Sequence, residues 1–249
     1  MKIVTYNLRY NYQNDGVNSF LHRAGLILDT IAEENPDILC FQEATDKNIA
    51  FLRKYLSTDY TVLLTQREAG LTGEGLAVAY RRDKFSLYGL EVLWLSPTPY
   101  VPATRFPGQS RHARICQKLL FKNEETGNVF KLYNLHLDEC SEDVRAQQME
   151  LALGWYAAET VPTILLGDFN SVPTQKVCAL CKNAGLTDLT EDIPVTFHRF
   201  GTRDPGIKLD YIFTDPSVAA RTSGVRIWDQ CVNGIYLSDH YPVEWTCDL

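Results

Sequence analysis

The chain has 249 residues, 45% of them hydrophobic, enough to bury a substantial core in one large α/β domain or two small ones. Its 24 Lys and Arg stand against 31 Asp and Glu, a formal charge of −7. That balance disfavours a broad basic nucleic-acid surface while leaving room for a local basic patch.

Residues 2–7 alternate as a strand and run straight from Met1, with neither the apolar region nor the cleavage site of a signal peptide. Residues 20–34 place Leu21, Ala24, Ile27, Leu28 and Ile31 at helical spacing, and Asn35-Pro36-Asp37 stops that helix. A buried strand over 38–42 and a helix over 45–56 follow. Strand-like segments come at 60–65, 75–81, 86–94, 113–122 and 129–137. A helix over 142–157, a strand over 163–167 and a helix over 174–183 lead to strands near 207–214, 222–228 and 241–247. No repeat, low-complexity tract or linker divides the chain, which reads as one domain over 1–249. Two strand–helix passes flank a run of strands without helices, an order that two face-packed sheets with helices outside accommodate.

No apolar stretch is long enough to span a membrane. The seven cysteines are odd in number. Cys178-Ala179-Leu180-Cys181 has no second pair, so it reads as two faces of a helix rather than a zinc or redox site. The cysteine pattern and the N-terminus together point to a reducing cytosol.

Several apolar runs end in side chains that handle metals or phosphates. Ile164-Leu165-Leu166-Gly167 leads to Asp168 and Asn170, which alternate and can point the same way. Such an Asp orients water or binds metal, and such an Asn donates to a phosphoryl oxygen; the alternative is an Asx cap before the next helix. Gln42-Glu43 ends a buried strand with a carboxylate suited to Mg²⁺ or Mn²⁺, or to capping the helix near Thr45. Asn7 ends the first strand, where it can ligate metal, brace Glu43 or simply make a turn. Asn134-Leu135-His136 ends another with an imidazole fit for proton transfer or phosphate contact, or for a structural bond. Ser238-Asp239-His240 presents an acid and an imidazole together, and Asp210 in Leu209-Asp210-Tyr211-Ile212-Phe213 is the candidate to orient His240. Separate structural explanations would be needed for each of these residues, whereas one hard-metal phosphoester site accounts for all of them.

In this order the residues resemble the endonuclease/exonuclease/phosphatase superfamily of nucleases, deadenylases, sphingomyelinases and inositol polyphosphate phosphatases. Thr5-Tyr6-Asn7-Leu8-Arg9, Phe41-Gln42-Glu43, Gly167-Asp168-Phe169-Asn170, Leu209-Asp210-Tyr211-Ile212 and Ser238-Asp239-His240-Tyr241-Pro242 carry the resemblance, from Thr5 to Val243. It implies a four-layer α/β sandwich, two packed mixed sheets flanked by helices. It implies that Asn7, Glu43 and Asp239 form the metal end, and that Asp168 and Asn170 orient water and phosphate. By the same resemblance Asp210–His240 is a carboxylate–imidazole dyad, and Glu74 orients His136. Arg114, ahead of Ile115-Cys116, is expected near the phosphate, and His198 in Thr196-Phe197-His198 at the substrate rim. The general base and the number of metals stay open.

The expectation is a Mg²⁺- or Mn²⁺-dependent phosphoesterase, with nucleic acid as one substrate class. The alternatives are a small phosphate ester such as a phosphoinositide or sugar phosphate, and an inactive binding module on the same fold.

Overall fold

The computed structural model describes residues 1–70 and 73–249. The first half contains β1 (Lys2–Asn7), a 3-10 segment (Gln13–Asn18), α1 (Phe20–Glu34), β2 (Ile38–Thr45), α2 (Asp46–Leu56), β3 (Tyr60–Gln66), β4 (Glu74–Arg81) and β5 (Phe85–Trp94). Then come β6 (Ile115–Asn123), β7 (Val129–His136), α3 (Glu142–Tyr156), β8 (Thr163–Asp168), α4 (Lys176–Asn183) and β9 (Thr187–Asp188). The last part holds β10 (Asp210–Thr214), α5 (Pro216–Ala219), β11 (Thr222–Ile227), β12 (Cys231–Val232), β13 (Ile235–Tyr236) and β14 (Val243–Cys247).

Two mixed six-stranded sheets form the body, in orders β11-β14-β1-β2-β4-β3 and β5-β6-β7-β8-β10-β9. Each contains one parallel pair, β1 with β2 and β7 with β8, and every other pairing is antiparallel. A parallel pair needs a crossover, and α1 and α3 supply it. Strand alternation then explains the layers. Ile38, Cys40 and Val78 meet Leu119, Leu132, Ile164 and Leu166 between the sheets. Their neighbours Leu39, Phe41 and Ala79 face outward onto Ile27, Ile31, Ile49 and Leu52 of α1 and α2. On the other sheet Leu135, Leu165 and Phe213 face Met149, Val177 and Cys181 of α3 and α4. With both faces covered the strands read as continuous apolar runs. The four-layer α/β sandwich is the fold observed. Cys178 and Cys181 are free thiols, both buried in the outer layer.

Toward one rim the layer between the sheets turns polar. Gln42 Nε2 donates to Asn134 Oδ1 at 2.8 Å, and Asn134 Nδ2 donates to Phe41 O and Ala77 O on the opposite sheet. These fully buried amides make a hydrogen-bonded floor beneath that rim.

Candidate active site

β1 and β2 end side by side, with Asn7 opposite Gln42. The pairing of β2 with β4 shifts register between Phe41 and Ala44, and Glu43 sits there at φ 52°. Such a bulge re-aims a side chain, here into the cleft. The helix-cap alternative for Glu43 fails because Thr45 caps α2, in a capping box with Asn48. Asn7 Nδ2 donates to Glu43 Oε1 at 3.1 Å and to Asp168 Oδ2 at 3.0 Å. Tyr10 N donates to Glu43 Oε2 at 3.0 Å.

From the second sheet, register places His136 beside Asp168 and Asp168 beside Asp210. A Cβ on Gly167, at φ 141°, would lie 1.9 Å from Leu135 O, so only glycine lets β8 close on β7 here. Asp168 Oδ1 accepts from Asn170 N at 2.8 Å, and Asn170 Nδ2 donates to Leu137 O at 3.1 Å. Asp168 Oδ2 lies 3.5 Å from His136 Nε2 and 3.8 Å from His240 Nε2. His240 Nδ1 is 2.8 Å from Asp210 Oδ2. Beside them Arg9 Nε stands 3.7 Å from Asp239 Oδ2. The cleft holds about 390 Å³ and is lined by Glu43, Glu74, Arg114, His136, Asp168, Asn170, Asp239 and His240. Asn7 and Asp210 stand behind it, bonded to Asp168 and His240.

The two imidazoles are tuned apart. Burial alone would lower His240, but the carboxylates of Asp210 and Asp168 outweigh it and hold the ring up at about 10. Burial, then Arg114 and Arg67, push His136 well below its ordinary value. Near neutrality His240 is therefore an imidazolium and His136 a neutral ring, which does not suit His136 to protonating a leaving group. Burial raises Asp168 to about 7, against the opposing charge of His240. Both raised groups bind protons more tightly folded than unfolded, so their stabilisation is full at low pH and fades as pH rises. For Asp168 the window runs from 3.8 to about 7, and for His240 from 6.5 to about 10. The metal-free protein should thus lose melting temperature steadily as pH rises from 4 toward 10. Asp210→Asn should flatten the upper half of that curve, and an unchanged slope above pH 6.5 would refute the assignment to His240.

Two expectations are corrected by the geometry. Glu74 faces the cleft, but its carboxylate pairs with Arg67 Nη2 at 3.0 Å, and among the described residues no bond joins it to His136. His198 lies outside the cleft lining and is buried. Its Nδ1 accepts from Gly201 N, and its ring stacks on Tyr241 at 3.9 Å. The surrounding segment is a brace: Thr196 Oγ1 accepts from Leu209 N and Asp210 N, and His198 N donates to Asp239 O. Arg114 does line the cleft and pairs with Glu139.

Sequence reasoning passed over Arg23 and Arg67, and it quoted Gln42 and Asn134 without giving either a role. Arg23 is fully buried and donates to the carbonyls of Asn18, Leu237, Leu8 and Arg9, which pins the loops after Asn7 and before Asp239. Its signal is a charge four residues before Ile27, on the apolar stripe of α1. Gln42 and Asn134 stand inside apolar strand runs, where a polar residue needs a partner.

Two places fit a hard cation. Glu43 and Asp239 offer only oxygen donors. Burial holds Asp239 above its ordinary value despite His240, and the charge of Glu43 pushes the same way, a tension that a cation relieves. Asp168, Asp210 and His240 also bring candidate ligand atoms within 4.8 Å of one another. In that group His240 Nδ1 and Asp210 Oδ2 are already bonded to each other.

Residues 4–240 match the Endonuclease/Exonuclease/phosphatase family. The chain belongs to this family. Its members are hydrolases of phosphate esters, and this chain is a phosphoesterase of the family's kind. A crystal structure of a family protein from Bacteroides vulgatus is 25% identical, with a TM-score of 0.90 over 99% of this chain and 98% of that one. A mannosyl-6-phosphatase from Bacteroides thetaiotaomicron is 25% identical, with a TM-score of 0.87 over the whole of both chains. An uncharacterized protein of Acanthamoeba polyphaga mimivirus is 25% identical over 98% of each chain. Among the described residues no helix is long and apolar enough to cross a membrane.

Proposed function

We propose that the protein is a Mg²⁺- or Mn²⁺-dependent hydrolase of a small phosphate ester, working by in-line attack of a water held by Asp168. The observation that carries this is the convergence on Asp168, whose carboxylate accepts from Asn7 and Asn170 and has two imidazoles near its Oδ2. Glu43, Asn7 and Asp239 would hold the cation. Once bound, it would supply Lewis-acid polarisation of a phosphoryl oxygen.

The protein's own groups do the rest. Asp168, with a pKa near 7, can take a proton from water while Asn170 and Asn7 fix its carboxylate. The water oxygen bonds to phosphorus as the ester P–O bond breaks, and the leaving oxygen departs with a proton from solvent in the open cleft. His240, charged and held by Asp210, stabilises the phosphoryl oxygens as negative charge gathers. Arg114, which lines the same cleft, contacts the phosphate.

A small ester is favoured over nucleic acid by the charge of −7 and the 390 Å³ cleft. Similarity to a mannosyl-6-phosphatase points the same way. The test is a panel of sugar phosphates, phosphoinositides, RNA, single-stranded DNA and abasic duplex with each metal. Sugar phosphates or phosphoinositides should be cleaved fastest. Turnover confined to nucleic acids would overturn the substrate reading.

A further inference from the structure

Two arginines on the wall beside His136 hold more hydrogen-bond capacity than the protein uses. The side chains of Arg67 and Arg114 are only 6% and 4% exposed. Each spends one Nη2 on a carboxylate, Glu74 for Arg67 and Glu139 for Arg114. Among the described residues, Arg67 Nε and Arg114 Nε and Nη1 are left buried without any acceptor. Unmade bonds from buried charged donors are costly, so such a wall is built for an acceptor supplied from outside. The space enclosed between the two arginines, Gly75 and His136 is about 10 Å³, the lower limit for one water, which could not satisfy all three N–H groups. Both side chains border the cleft itself, and so do Arg111 and His112.

From this we infer that Arg67 and Arg114 form a fork for a peripheral oxygen of a terminal phosphoryl group, so that the protein prefers phosphomonoesters to phosphodiesters. The inference rests on the phosphoesterase reading above and narrows its substrate. A terminal phosphoryl group has one more unesterified oxygen than a diester. The metal end and His240 can engage the others, leaving this one for the fork. In a diester the same position carries an ester oxygen with its carbon substituent. That oxygen is a poorer acceptor, and the carbon would seal the guanidinium N–H groups away from water. Sites built to bond a polar group reject analogues lacking it far more strongly than apolar pockets reject extra carbon. A guanidinium fork also matches phosphate geometry through charge-assisted bonds.

The test measures binding and turnover separately. With Mg²⁺ present, calorimetry should show inorganic phosphate bound at least about 10-fold more tightly than dimethyl phosphate. Arg67→Met should lose about that factor for phosphate and change dimethyl phosphate little. Arg67→Met strands the Glu74 carboxylate and can fail to fold, so a second variant pairs Arg67→Gln with Glu74→Gln, which leaves no carboxylate unpaired. The same result is expected there. For turnover, the kcat/KM ratio of nitrophenyl phosphate to bis-nitrophenyl phosphate should be on the order of 10² and fall toward unity in both variants. Equal binding of the two anions by the wild-type protein, or equal losses for both in the folded variants, overturns the fork. If no ester is cleaved but the phosphate preference and its loss hold, the phosphoesterase reading fails and the fork stands.

Discussion

Asp168→Asn should lower turnover by on the order of 10²–10³-fold while the protein still folds. The carboxylate sits where the two sheets meet, within reach of Asn7, Asn170, His136 and His240. An amide keeps the shape but only one acceptor, so it can keep the bond from Asn170 N or the one from Asn7 Nδ2, not both. It cannot take a proton from water, and its NH₂ would face either Asn7 Nδ2 or Asn170 N, donor against donor. Relief of a buried negative charge offsets that conflict in the metal-free protein, where burial already disfavours ionisation. Melting temperature should therefore stay within a few degrees of wild type while kcat collapses. Retention of near wild-type kcat on a good substrate would place the chemistry elsewhere.

Exhaustive chelation should abolish turnover, and Mg²⁺ or Mn²⁺ should restore it. The proposed ligands are an amide and carboxylates, which prefer hard cations. Glu43→Gln separates metal binding from folding. Glu43 lies at the rim and is only partly buried, and its oxygens accept from Asn7 Nδ2 and Tyr10 N. Its replacement should raise the metal concentration for half-maximal rate by about 10-fold or more and move the melting temperature little. Full activity after chelation would rule out the mechanism, and unchanged metal dependence in Glu43→Gln would remove Glu43 from the metal end.

The long elements were legible because two-sided burial writes itself as apolar runs and amphipathic helices as a stripe. Short elements were not. The 3-10 segment Gln13–Asn18, α5 and the β12–β13 pair carry too few residues to show a period. Boundaries shifted where tertiary bonds replaced ladder bonds. Ile207 bonds to Thr196 and Phe197 and Leu209 N to Thr196, so β10 begins only at Asp210. In the cleft, residue types and order pointed to the acids and imidazoles, since chemistry restricts who can stand there. They could not say what each side chain touches. His198 stacks on Tyr241, and Glu74 turns to Arg67, because partners distant in sequence compete for them. Arg67 and Arg23 escaped notice for the converse reason, being charged residues whose burial is visible only once the sheets have closed.

Every acceptor that Arg23 engages is a main-chain carbonyl, in Asn18, Leu237, Leu8 and Arg9. A clamp of that kind is indifferent to the side chains of the loops it ties down. The groove next to the cleft, bordered by Tyr12, Asn14 and Arg199, can therefore change its amino acids without loosening the strands that present Asn7 and Asp239. Evolution, or a directed-evolution library confined to those positions, has a surface on which to trade one leaving group for another while the hydrolytic centre is inherited intact.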